Sequence, residues 1–368
     1  MKPDREAAAA ATTGDDPLSL RNAVFRAGLE ALYFSGAHRA LRPLYGGLGA
    51  IFTLHHVRPR RKGRFQPNRL LEIEPRFLDE AIARLRARDV DLVTLDEAHR
   101  RLVERDYSRH FVALTFDDGY RDNLEHALPI LERHQAPFTL FVATSFPDRL
   151  GELWWVALER VVAKAGRIVI EIDGKEHFFY CEGSAKKYEA YAQIYWWLRS
   201  LADERKMRRI VRDLCQRYGV DADAPCREFC MTWPEIAEVA KSRLATIGAH
   251  TINHVMLTKW SAAEAREEMK RSREVIEASL GVRCEHFAFP VGDKTSAGPR
   301  EFQIAAELGF KTAVTTRPGV LYPEHRDHLT ALPRISLNGH FQAARFVDVF
   351  LSGAPFALWN RFKRVDAA

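Results

Sequence analysis

Two adjacent carboxylates, Asp117 and Asp118, close the apolar run FVALTF at residues 111–116 and are followed by Gly119 and Tyr120. Side by side and buried, such a pair is costly, because each negative charge disfavours ionisation of the other. A solvated Asp-Gly turn avoids the cost, and this stretch alone leaves that reading open. His250 and His254 stand four apart in HTINH, directly after the apolar run LATIGA. One helical turn or a short loop converges such a pair. Two imidazoles and a carboxylate together suit a divalent transition metal with positions left for water and substrate. A third segment, HFAFPVG from His286 to Gly292, reads as a buried strand ending in Pro-x-Gly. By itself it predicts only a turn with exposed backbone N–H groups.

The elements that would position these residues alternate. Strands are expected at 49–54, 91–95, 111–116, 137–143, 244–249, 286–289, 311–315 and 332–337, from short apolar, β-branched runs. Helical patterns lie between several of them, at 77–87, 123–134, 233–241, 262–280 and 299–308. Strand then helix, repeated, calls for a parallel sheet with helical crossovers, and about eight units suggest a barrel. In such a barrel, chemistry collects at the C-terminal ends of the strands, where Asp117, Asp118, His250 and His254 all fall. Residues of about 150–230 break the rhythm. RIVIEIDGKEHFFYC reads as a hairpin turning at Asp173-Gly174, and 186–218 as helical, so the region is an insertion. Its aromatics, among them Trp154, Trp155, Trp196 and Trp197, form a small core or stack on sugar faces. Residues 18–34 carry a helical apolar stripe that packs on a domain or, in the sharper alternative, lies on a membrane surface. A start of roughly sixteen residues is expected to be disordered, and 346–368 is read as a tail.

The bulk numbers set limits. With 368 residues, 46% hydrophobic and 28% charged, the chain has a globular composition and length for a large α/β domain with additions. The net charge of +6 is spread along the chain. Its longest basic cluster, at 58–62, is interrupted and lacks interleaved aromatics, which argues against nucleic acid as partner. Five cysteines at irregular spacing argue against a disulfide framework. Cys226 and Cys230 are ordinary thiols or, less simply, a metal-ligand pair. The first twenty residues lack a signal-peptide pattern, and no apolar stretch of about 20 residues is present, so a cytoplasmic protein is expected, at the inner membrane face in the membrane-surface version.

The ordered set TFDDGY, HTINH and FAFPVG resembles the polysaccharide deacetylase family, carbohydrate esterase family 4, from about Ile51 to Leu337. IFTLHHVRP and LPRISL look like the first and closing strands of one branch of it. The resemblance implies an α/β fold, a distorted, TIM-like (β/α) barrel of seven or eight strands over 49–345. A helical N-terminal extension (1–48) and the inserted hairpin-plus-helix region would complete it. It implies Asp117 as general base, Asp118, His250 and His254 as ligands of Zn²⁺ or another divalent transition metal, and the Val291 backbone N–H as oxyanion donor. His55 would protonate the departing amine, with His56 as its rival. The positive metal would offset the repulsion within the Asp pair. Many members carry an orienting Arg where this chain has Ala288, and Arg334 on the last strand is expected to replace it. Leu54 stands where the branch usually has Tyr.

The activity implied is hydrolysis of an N-acetyl group from a hexosamine of an oligosaccharide, polysaccharide or lipid-linked glycan, giving amine and acetate. O-deacetylation of a glycan is the alternative at the same site. A metal- and glycan-binding protein without turnover is a third reading, favoured by Ala288 and Leu54. The sequence leaves oligomeric state open.

Overall fold

The structure, a computed structural model, describes residues 20–367. The expected disordered start lies outside them. The strands are β1 (Gly49–Leu54), β2 (His56–Val57), β3 (Glu72–Ile73), β4 (Asp91–Val93), β5 (Phe111–Phe116) and β6 (Phe138–Val142). After them come β7 (Arg167–Ile172), β8 (Lys175–Tyr180), β9 (Ala245–Ala249), β10 (His286–Ala288), β11 (Thr312–Pro318) and β12 (Leu332–Ser336).

Seven strands close a parallel barrel in the order β1-β12-β11-β10-β9-β6-β5, and β5 returns to β1 along its whole length, from Gly49 beside Phe111 to Leu54 beside Phe116. The short β4 pairs with the first half of β5, Asp91–Val93 beside Phe111–Ala113, and β6 with the second half. Every residue of β1, β5 and β6 is buried, as expected for parallel strands covered on both faces. Flanking helices cover the ring. The helix Ala262–Leu280 shows why its ends were readable: Ser261 and Glu264 form a capping box, and Gly281 takes the left-handed conformation after the last turn.

Some expected elements are corrected. Residues 94 and 95 leave the strand, because the Thr94 side chain accepts the Glu97 N–H and starts a helix, Leu95–Glu104. The segment read as a tail carries two helices, Arg345–Leu351 and Ala354–Trp359. Phe346, Val347, Val349 and Leu351 are buried in the core, which is why this stretch stays with the barrel. At the other end, α1 (Leu20–Phe34) and α2 (Ala37–Tyr45) precede β1.

Contacts divide the chain into two compact units. The barrel unit comprises residues 29–60, 71–151 and 229–368. The other gathers 61–70 and 152–228, with the chain up to Gly28. Its hairpin turns at Asp173 and Gly174, both with positive φ, as a two-residue connection requires. The expected single helical stretch is two helices, Gly183–Ser200 and Glu204–Arg217, the second capped by the Asp203 side chain. Trp154 and Trp155 are buried and Trp154 stacks on Tyr195, so these aromatics build a core, whereas Trp196 is exposed beneath Arg199. Among the described residues no helix is long and apolar enough to cross a membrane.

Candidate active site

The barrel ladder carries the acidic pair to the mouth. Beyond the last residue of β5, the Asp117 N–H still bonds the Leu54 carbonyl at 2.9 Å, fixing its side chain at the strand end. Asp117 is buried and gripped by Arg334 of β12. Nη1 donates to Oδ1 and Nη2 to Oδ2, each at 2.7 Å, while Nε donates to the Thr315 carbonyl at 2.8 Å. Thr115 Oγ1 accepts from Nη1 at 3.0 Å, and Thr53 Oγ1 donates to Asp117 Oδ2 at 3.3 Å. Burial alone would raise the Asp117 carboxyl, but the Arg334 guanidinium, with His250 and His55, outweighs it and holds the group below the usual carboxylate range. The bidentate geometry fixes both oxygens at once.

Asp118 turns the other way, at φ 72°. Its Oδ1 lies 3.4 Å from His250 Nε2 and 3.2 Å from His254 Nε2, and has no hydrogen-bond partner. His250 Nδ1 bonds the Ala288 carbonyl at 2.7 Å. A carbonyl only accepts, so Nδ1 carries a proton, and in the neutral tautomer this leaves Nε2 its lone pair, directed at a carboxylate oxygen. Lone pairs facing one another in a buried place call for a cation between them. Burial would raise Asp118, yet positive charge on this side, that of the imidazoles when protonated and of His254 first, pulls it well below its ordinary value. Among the described residues this is the one group of three or more His, Cys, Asp or Glu side chains arranged to hold a metal. Cys226 and Cys230 are buried, form no disulfide and lie outside it.

The HTINH segment is a loop. Its His250 N–H bonds the Val142 carbonyl, extending the β6–β9 pairing. Glu268, from the helix Ala262–Leu280, accepts the N–H groups of Ile252 and Asn253 at 2.9 and 3.0 Å. Phe146 stacks on His254. The Pro290–Gly292 turn bends through Val291 at φ 62°. A Cβ on Gly292 would fall 2.7 Å from the Thr316 nitrogen, so only glycine fits there. The Val291 N–H makes no hydrogen bond among the described residues.

The two histidines after β1 part company. His55 is half-buried at the mouth; burial lowers it below its ordinary value against the raising pull of Asp118 and Asp117. No hydrogen bond holds its ring among the described residues. His56 is buried, with Nδ1 on Asp122 Oδ2 at 2.6 Å and its ring stacked on Tyr120 at 3.5 Å. Asp122 also accepts the Val57 N–H at 3.0 Å, so it ties the DDGY turn to β2. His56 is thus committed to packing, and His55 faces the acids. Asp122→Ala strands a buried imidazole and an N–H, and is expected to cost about 1–3 kcal/mol by denaturant unfolding while turnover falls less than for any ligand change.

Sequence reasoning missed several of these groups. Thr53 and Thr115 are polar residues inside apolar strands, a signal that was present. Glu268 sits in a charged helical run and gave none. The positive φ of Asp118, Thr251, His254 and Val291 concentrates backbone strain at this mouth.

Comparison with known proteins agrees with this geometry. The family model for polysaccharide deacetylase matches residues 104–313. The Streptococcus pyogenes deacetylase PplD, solved with acetate, superposes with a TM-score of 0.51 at 20% identity, covering 79% of this chain and 92% of its own. A polysaccharide deacetylase from Bacillus cereus superposes with a TM-score of 0.50 at 15% identity, covering 82% of this chain and 68% of that one. These structures share the fold. Comparison with curated proteins gives no sequence match. The chain belongs to the polysaccharide deacetylase family, hydrolases that act on the amide or ester bonds of acetylated carbohydrates. That family is generally dependent on a divalent metal, and Asp118, His250 and His254 offer this chain a site for one.

Proposed function

We propose that the protein is a metal-dependent de-N-acetylase acting on a hexosamine-containing glycan, releasing acetate and a free amine. The observation that carries this reading is the pairing, on consecutive residues, of a carboxylate gripped by Arg334 with one member of a trio of side chains, Asp118, His250 and His254, that converges as metal ligands do. Asp118, His250 and His254 would hold Zn²⁺ or a similar ion, which when bound supplies a Lewis acid and an acidified water.

The chain's own groups do the rest. Asp117, kept ionised and aimed by Arg334, accepts the proton of the attacking water. The unpartnered Val291 N–H donates to the oxygen that gains charge as the acetyl carbon becomes tetrahedral. His55 gives a proton to the amine nitrogen as the C–N bond breaks. Water's hydroxyl thus ends on acetate and the proton on the amine.

One observation favours O-deacetylation as a second reading. Leu54 is buried in the core and, among the described residues, no hydrogen bond holds the His55 ring, which leaves the acid loosely aimed. An alkoxide leaves more readily than an amine and depends less on that acid. Acetate release from N-acetylglucosamine oligomers and from an O-acetylated glycan, compared for the wild type and His55→Ala, separates the two. The de-N-acetylase reading expects amide turnover to fall about 10²–10⁴-fold and ester turnover far less. Ester cleavage with no amide cleavage in the wild type would favour the esterase.

A further inference from the structure

Most of the large apolar side chains that the barrel unit leaves exposed stand in one place. Leu44 on α2 is 62% exposed, and Leu358, Trp359 and Phe362, at the end of the last helix and in the turn after it, are 73%, 50% and 63% exposed. The two elements are packed together. Tyr45 and Phe362 meet with ring centroids 6.0 Å apart, and Gly353, which opens the last helix, approaches the Tyr45 carbonyl so closely that a Cβ there would overlap it. Tyr322 donates to the same carbonyl at 2.7 Å.

The charged residues of these two segments, 37–45 and 354–364, are all basic. Arg39 and Arg42 stand on α2 and Arg361 and Lys363 flank Phe362, and none has an acidic partner among the described residues. Arg364 is the exception, paired with Glu324 at 3.2 Å. Aromatic and leucine side chains on segments that also carry four cations without acidic partners match the boundary of an anionic bilayer: the apolar groups enter the acyl edge, and the cations meet lipid phosphates. A protein partner would have to supply both an apolar face and a surplus of acids.

We propose that this surface, built by α2 and the C-terminal helix, docks the protein peripherally on an anionic lipid membrane. α2 stands before the N-terminal end of β1, away from the mouth. α2 ends four residues before β1 begins, and His55 follows the last residue of β1, about 20 Å further on for six extended residues. The inference is independent of the reaction catalysed.

The test is co-sedimentation of the full chain with vesicles of phosphatidylcholine alone and with about a third phosphatidylglycerol. The wild type is expected to partition onto the anionic vesicles and to be released by raised salt. Trp359→Glu/Phe362→Glu and Arg361→Gln/Lys363→Gln should each weaken partitioning at least tenfold, with family activity in solution unchanged, since neither pair touches the site. Failure of the wild type to bind anionic vesicles overturns the proposal. So does unchanged partitioning of the Glu variant, which would mean charge-driven adsorption elsewhere, or a dimer in solution that the Glu variant dissociates, which would assign the patch to a second copy of the chain.

Discussion

Arg334→Ala is expected to destabilise the barrel by about 3–5 kcal/mol and to remove most turnover, although Arg334 stands on the last strand and Asp117 is far away in sequence. The cause is the buried pair: without the guanidinium, Asp117 keeps a charge that nothing in the interior compensates. Two further losses follow, since Thr115 and the Thr315 carbonyl each lose a donor. Arg334→Lys should restore part of the stability but not the bidentate aim, so its turnover should stay low while its unfolding midpoint recovers. Stability must also depend on pH through this pair. The folded-state value of Asp117 is depressed, so its contribution is complete above the unfolded value near 4 and is lost as pH falls through the lower, folded value. Denaturant unfolding at descending pH should therefore show a steeper loss below pH 4 in the wild type than in Arg334→Ala. Equal slopes would mean that the pair is not what holds Asp117 ionised.

Asp117→Asn is expected to lower acetate release by about 10²–10⁴-fold, the range for loss of a general base, with metal content retained. The amide keeps one acceptor oxygen for Arg334 but turns its NH₂ toward the guanidinium, so stability falls as well. The two effects are separable, because Asp118→Asn should strip the metal while leaving the Asp117–Arg334 pair intact. Loss of metal in Asp117→Asn, or turnover within a few-fold of wild type, would contradict the division of labour between the adjacent acids.

Much of this arrangement was legible before the structure, for physical reasons that differ by element. β1 and β5 announce themselves as apolar runs because both of their faces are buried, and Asp117 and Asp118 are visible because they end such a run. The helix Ala262–Leu280 carries its own cap signals at both ends. Thr94 was misleading: its β-branched side chain continues the strand pattern, yet its oxygen is used as a cap. The helices at 345–359 were hidden because their apolar residues pack on the barrel without a long regular stripe. At the site, Thr251 and Val291 adopt positive φ despite β-branching, which no local preference foretells. The grip of Glu268 on the histidine loop depends on tertiary placement alone. The family resemblance supplied the roles, and the missing orienting Arg at Ala288 pointed to Arg334 on the last strand, which grips Asp117 from across the barrel.

The most direct measurement is acetate release from N-acetylglucosamine oligomers by protein stripped of metal, then reloaded with Zn²⁺, with Asp117→Asn run alongside. The account predicts negligible acetate from stripped protein, recovery on reloading in proportion to bound metal, and little recovery in the variant. Equal acetate release by stripped and reloaded protein would contradict it, and so would full metal binding with no acetate from oligomers of any length.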